Sequence, residues 1–182
     1  MKIGIRKANN SDLDGIIEVH VETWKTTYKG VVPDKYIKAF IIRTQDQRWQ
    51  NQLKNMIKEN IFFIAENNES EIVGFAIGGL ERGKNLNYEG ELMGIYILKE
   101  YQRRGLGKSL TKKIVEELIE MKINTMLLWV LENNPYRVFY DTLGGKVVDK
   151  KEDENLKLPV VAYGYDNLNE LRTRIITTLI PS

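Results

Sequence analysis

Gln102-Arg103-Arg104-Gly105-Leu106-Gly107-Lys108-Ser109 joins an apolar, β-rich run, residues 92–98, to a helical stripe of Leu106, Leu110, Ile114, Val115, Leu118 and Ile119. Two glycines at the start of a helix let backbone N–H groups point outward at close range. The helix dipole and the adjacent Arg103 and Arg104 favour negative charge there, so a phosphate or pyrophosphate is the natural guest. The plainer reading is a solvated basic turn whose glycines supply positive φ. Two phosphate templates fail. A Walker A loop needs glycine five residues before Gly107, where Gln102 stands. A dinucleotide fingerprint needs glycine at Leu110 and an acidic residue near Thr125.

Outward from this loop, the hydrophobic period assigns the remaining elements. Residues 3–6 suit a short strand. Ser11 with Asp14 marks a helix start, followed by the stripe Leu13, Ile16, Ile17, His20, Val21 and Trp24. Thr44 and Gln47 suggest a second capped helix carrying Trp49, Leu53, Met56 and Ile57, and Pro33 could open a short helix between the two. Residues 61–65 and 72–77 form a hairpin around Asn67-Asn68-Glu69-Ser70. Residues 92–98 and 126–131 are apolar on both faces, as in buried strands. Asn134-Pro135 offers an N-cap and an N1 proline to a helix bearing Tyr136, Phe139, Tyr140 and Leu143, which Gly144-Gly145 ends. Residues 160–165 read as a last strand, and residues 167–180 as a terminal helix. A hairpin followed by a β-α-β unit implies an α/β chain with a mixed sheet flanked by helices, and not a doubly wound parallel fold. The expected organisation is one domain over residues 1–166 with a C-terminal extension, 167–182.

Composition narrows the function. The 182 residues carry 27 basic and 25 acidic side chains, a net charge of +2 that argues against nucleic acid or an anionic membrane as partner. With no cysteine there is no disulfide framework, thiolate metal site or cysteine nucleophile. One histidine, His20, excludes multi-histidine metal sites, and no metal is expected. No apolar run approaches 18 residues, and residues 1–11 lack the apolar core of a signal peptide; a cytoplasmic protein is the expectation.

The pattern Q/R-x-x-G-x-G/A at Gln102–Gly107 resembles the loop of GNAT-superfamily N-acetyltransferases that binds the pyrophosphate of acetyl-coenzyme A. Asn133, Phe139 and Tyr140 fall at that family's N-x-x-A-x-x-F-Y spacing, with Tyr136 in place of the usual alanine. Trp24-Lys25-Thr26-Thr27-Tyr28-Lys29-Gly30 and Pro33 resemble a bacterial branch that includes polyamine-type acetyltransferases. The resemblance covers residues 1 to about 166. It implies a GNAT fold, mostly antiparallel, with a splayed strand pair admitting the thioester.

The resemblance also implies roles. The backbone of Ile95, Tyr96 and Ile97 would align the pantetheine arm. Gln102, Arg103, Arg104, Gly105, Leu106, Gly107, Lys108 and Ser109 would hold the pyrophosphate, and Asn133 would touch the cofactor arm. Tyr140 would be the general acid, because a phenol near pKa 10 is protonated at neutral pH and can donate to a departing thiolate. Glu91 would be the base, directly or through water, with Glu89 a neighbouring substitute. Trp24 and Tyr28 would contact the acceptor, and Glu22, Glu81, Glu89 and Glu91 could offer charge to a cationic amine. Without cysteine, direct attack in a ternary complex is the simplest scheme. A homodimer is compatible with this reading. Two other classes stay open: a binding module that retains acyl-CoA without turnover, and a nucleotide-dependent phosphotransferase resting on Gly107-Lys108-Ser109.

Overall fold

A computed structural model describes residues 3–83 and 86–179. Seven strands form one sheet in the order β1-β2-β3-β4-β5-β7-β6: β1 Gly4–Lys7, β2 Ile61–Glu66, β3 Ile72–Leu80, β4 Gly90–Ile97, β5 Met126–Leu131, β6 Lys146–Glu152 and β7 Pro159–Tyr165. Every neighbouring pair is antiparallel except β4 and β5, which run parallel.

Helices cover both faces. On one side lie α1 Leu13–Thr27, α2 Asp34–Thr44 and α3 Gln47–Glu59; Ile16 and Val19 of α1 with Leu53 and Ile57 of α3 meet Phe62, Ile64, Phe75 and Ile77 of the hairpin. On the other lie α4 Leu106–Glu120 and α6 Leu168–Leu179, where Leu110, Ile114 and Leu118 meet Leu168, Leu171 and Ile175 over β3, β5 and β7. Alternating side chains of β2 and β3 serve the two cores in turn, which is why both strands read as continuous apolar runs. A Cβ on Gly78 would come within 2.5 Å of Ile114, so that glycine sets how closely α4 approaches the sheet.

Several starts differ from the sequence reading. The chain enters α1 through a 3₁₀ turn capped by Asn9, whose Oδ1 accepts the Ser11 N–H, while Asp12 Oδ2 accepts the Asn9 N–H in return. Asp12 also accepts from Arg6 Nη1 and Nη2, each at 2.8 Å, so the cap falls two residues earlier than Ser11, where that ion pair can form. Asp46, not Thr44, caps α3. The helix that Pro33 opens has eleven residues. Strand β6 has no counterpart in the sequence reading: all seven of its residues are exposed, so neither face carries an apolar period. Asn134 Oδ1 accepts the Tyr136 N–H and caps a turn, and the helix proper, α5 Val138–Thr142, begins four residues beyond it.

Candidate active site

Strands β4 and β5 pair only at Gly90 with Met126 and at Glu91 with Leu127. Beyond Glu91, β5 follows β7 while β4 stays with β3, and the two parallel neighbours part. The pairing of β3 and β4 shifts register where Ile77 faces Gly94 and Gly78 faces Leu92, leaving Met93 as the extra residue. A bulge bends its strand and increases twist, which accounts for divergence beginning there. The far half of β4 therefore offers an unpaired edge on its β5 side.

Into this opening projects the loop that follows β4. Arg103 (φ 60°) and Gly105 (φ 80°) both adopt left-handed backbone, and α4 begins at once. Left-handed residues set beside right-handed ones turn successive N–H groups toward one point and form an anion-binding concavity. The first N–H groups of α4 add unpaired donors and the positive end of a 15-residue helix. Gln102 Nε2 donates to Ile97 O at 2.8 Å, tying the loop to the end of the β4 edge. Arg103 lies over the Tyr136 ring and Arg104 over the Tyr101 ring, 5.7 and 5.9 Å from their centroids. Lys108 Nζ donates to Thr178 O at 3.3 Å, which brings the last turn of α6 to the rim.

The concavity opens on a cavity of about 720 Å³ running from the loop to α1. Of the residues singled out from sequence, Tyr28, Ile95, Ile97, Gln102, Arg103, Arg104, Gly105, Gly107, Lys108 and Tyr140 line it. Others fall outside the lining. Leu106 is buried in the core, and the Ser109 hydroxyl donates back to Gly105 O at 3.3 Å. Tyr96 is not among the lining residues: its ring packs 4.2 Å from His20 and 4.9 Å from Phe75, and burial pushes its phenol up to about 12. Trp24 stacks on Phe40 at 4.4 Å. Asn133 is exposed, whereas its neighbour Asn134 lines the cavity.

Glu91 is absent from the lining of the cavity that Tyr140 borders. It is 4% exposed, and both of its oxygens accept from Arg82, at 2.6 and 2.9 Å. Tyr140 is enclosed by Phe139 at 5.3 Å and Tyr163 at 5.7 Å between ring centroids. Burial, reinforced by neighbouring Tyr96 and Tyr163, holds its phenol well above the usual range. It stays protonated at any physiological pH.

Several lining residues had no functional reading in the sequence, Val138 and Thr142 of α5 among them. Thr23 and Thr27 sit on α1 among polar positions, and Thr178 and Leu179 close α6. Only folding brings either helix to the loop, so no local signal marks them. Among the described residues, no group of three or more His, Cys, Asp or Glu side chains is placed to hold a metal, and no helix is long and apolar enough to cross a membrane.

Residues 74–153, which run from β3 to just past β6 and contain the splay and the loop, match the FR47-like protein family. The uncharacterized N-acetyltransferase YuaI of Bacillus subtilis is 32% identical over 174 residues, spanning 94% of this chain and 97% of that one. The chain belongs to the GNAT N-acetyltransferase superfamily. The spermidine N(1)-acetyltransferase of Thermoplasma acidophilum is 28% identical over 152 residues, 82% of this chain and 91% of its own. The crystal structure of PaiA N-acetyltransferase from the same organism, in complex with coenzyme A, superimposes with a TM-score of 0.73 at 26% identity. That match covers 91% of this chain and all of the other. In this GNAT chain Gly107-Lys108-Ser109 lies in the first turn of α4, with Gln102 where a nucleotide-binding loop would need glycine.

Proposed function

We propose that the cavity bounded by β4, the loop after it, α5 and α1 binds acetyl-CoA and an amine together and transfers the acetyl group by direct attack. One observation carries this reading. The unpaired edge of β4, the concavity at Arg103–Gly105 and the Tyr140 side chain all border the same 720 Å³ space. An extended amide-bearing arm suits an open strand edge, and a pyrophosphate suits converging N–H groups beside Arg103, Arg104 and Lys108. These features support the assignment of Ile95 and Ile97 to the arm and of residues 102–108 to the phosphates.

In the step itself the amine nitrogen forms a bond to the thioester carbon, and the carbon–sulfur bond breaks. The thiolate takes the Tyr140 phenolic proton, the amine surrenders one N–H proton to water, and a proton from water restores the phenol. A phenol held protonated by burial is suited to donate to a sulfur anion, and a neutral side chain there costs nothing in charge before the reaction. Glu91 serves as base in this scheme only through water, since Arg82 occupies both of its oxygens. The Thermoplasma acidophilum relative named for spermidine is what supports a polyamine-like acceptor; the cavity's own lining, which holds no carboxylate among the described residues, is what weighs against it. A homodimer is compatible with this reading, and light scattering measures it.

Tyr140→Phe tests the mechanism. Removing one hydroxyl from an isosteric ring is expected to lower kcat about 100-fold, within the range for a general acid. Acetyl-CoA affinity should change by less than about threefold. Unchanged turnover would remove Tyr140 from the chemistry.

A further inference from the structure

The α1 end of the cavity carries a chemical signature that its loop end lacks. Its walls are Thr23, Thr27, Tyr28, Ile95 and Tyr140: three hydroxyl-bearing side chains of α1 and its end, one aliphatic chain and the proposed acid. Among the described residues, no Asp or Glu side chain lines the cavity, and its charged lining is cationic: Arg103, Arg104 and Lys108. The neighbouring carboxylates are committed elsewhere. Glu22 pairs with Lys25 at 3.4 Å on the exposed side of α1, Asp141, next to Tyr140, accepts from the Tyr163 hydroxyl, and Glu91 is held by Arg82.

Behind this wall the packing is aromatic and uncharged. Trp24 meets Tyr28 edge-on at 5.2 Å and stacks on Phe40, and Phe40 in turn meets His20 at 4.6 Å. His20 stays neutral, its pKa pushed down to about 3 by burial. Thr23 adds an independent observation. It is 5% exposed, it lines the cavity, and its Oγ1 has no hydrogen-bond partner. A buried hydroxyl without a partner is costly and rare, and a ligand group is one way to satisfy it.

We infer that the acceptor is an amine with a single basic nitrogen on an apolar, aromatic-sized body, seated against Thr23 and Tyr28, and not a polyamine. This inference rests on the acetyltransferase reading above. A polyamine reaching the thioester with one nitrogen would bring a second ammonium into or beside a space with no carboxylate to meet it. Burying an unpaired charge is strongly unfavourable. A monoamine gives up its one charge before attack and then offers an N–H and an apolar surface. The Thr23 hydroxyl accepts the first, and the ring of Tyr28 with the side chain of Ile95 covers the second.

The experiment measures kcat/KM with saturating acetyl-CoA for 2-phenylethylamine and for spermidine, by release of free CoA. Phenylethylamine should exceed spermidine by at least tenfold, with a KM that varies little between 50 mM and 300 mM salt. Equal or better use of spermidine would overturn the inference and leave the acetyltransferase reading standing. Acetylation of neither amine by protein that binds acetyl-CoA in calorimetry would overturn both. Two variants sharpen the result. Thr23→Val, which keeps the shape and deletes the unpartnered hydroxyl, should raise the KM for phenylethylamine at least fivefold while the melting temperature holds or rises. A KM that stays put would remove Thr23 from acceptor binding. Thr27→Glu, which supplies the missing carboxylate, should narrow the preference over spermidine at least threefold, and an unmoved ratio would contradict the electrostatic basis.

Discussion

In the proposed complex, recognition at the Gln102–Ser109 end of the cavity would fall to main chain: two left-handed residues and the open turn of α4, beside three cations fixed by neighbours. At the α1 end it would fall to side chains that reach one another only after α1, α2 and β4 have packed. The first end is specified locally, because a glycine at φ 80° and a strand-to-helix turn impose its geometry whatever surrounds it. The second is specified by tertiary contact. That contrast explains why a chain can keep one co-substrate while its acceptor changes: replacing Thr23 or Thr27 leaves the loop's backbone untouched.

The largest effect expected to probe this contrast lies at the α1 end and appears in stability. His20, buried in an aromatic box and pushed down to about 3, titrates near 6.5 once unfolded. Between those values the unfolded chain binds a proton that the folded chain refuses, so His20 costs nothing above about pH 6.5. Stability then falls as pH drops toward 3, by as much as roughly 4 kcal/mol. Chemical denaturation at pH 7 and pH 4.5 measures the loss, and His20→Phe should flatten that part of the profile. An equal pH dependence in the variant would mean that the box does not exclude the proton.

At the loop end the corresponding test is Gly105→Val. A β-branched residue at φ 80° is strained by about 1–2 kcal/mol. It can relieve that strain only by opening the concavity, so acetyl-CoA affinity should fall about tenfold in calorimetry. Glu91→Gln comes next, since it deletes one charge from a bidentate pair with a half-exposed arginine. Solvent screening at Arg82 limits the expected loss to about 1 kcal/mol in denaturant unfolding, far below the cost of breaking a fully buried pair. A pH–rate profile that keeps its acidic limb in this variant would also take the base's role from Glu91. The smallest effect should come from Leu179→Asp, which places a carboxylate on the rim beside Gly105. It should weaken acetyl-CoA binding about threefold at low salt and less at high salt.

The same contrast governs what could be read from the sequence. The loop, the strand before it and the helix after it were legible because glycine position and hydrophobic period are local properties. Tyr140 was legible because it stands one residue after Phe139 at a family spacing, and it borders the cavity. Thr23 was not, because a threonine on an amphipathic helix carries no mark of whether its hydroxyl finds a partner. Strand β6 escaped because Lys146, Asp149 and Lys150 interrupt any period of two, and only pairing with β7 makes it a strand. The splay itself could be expected from family resemblance, whereas its cause, the extra residue Met93, is visible only in the register of β3 against β4.

The most direct measurement is a calorimetric titration of the wild-type chain with acetyl-CoA, with Mg²⁺-ATP and NAD titrated in parallel. Acetyl-CoA should bind with one site per chain, and at about 100 times its dissociation constant it should stabilise the fold by roughly 2.7 kcal/mol, with ATP and NAD inert. Binding of Mg²⁺-ATP with no heat from acetyl-CoA would contradict the assignment of the loop, the open β4 edge and Tyr140 to acetyl transfer.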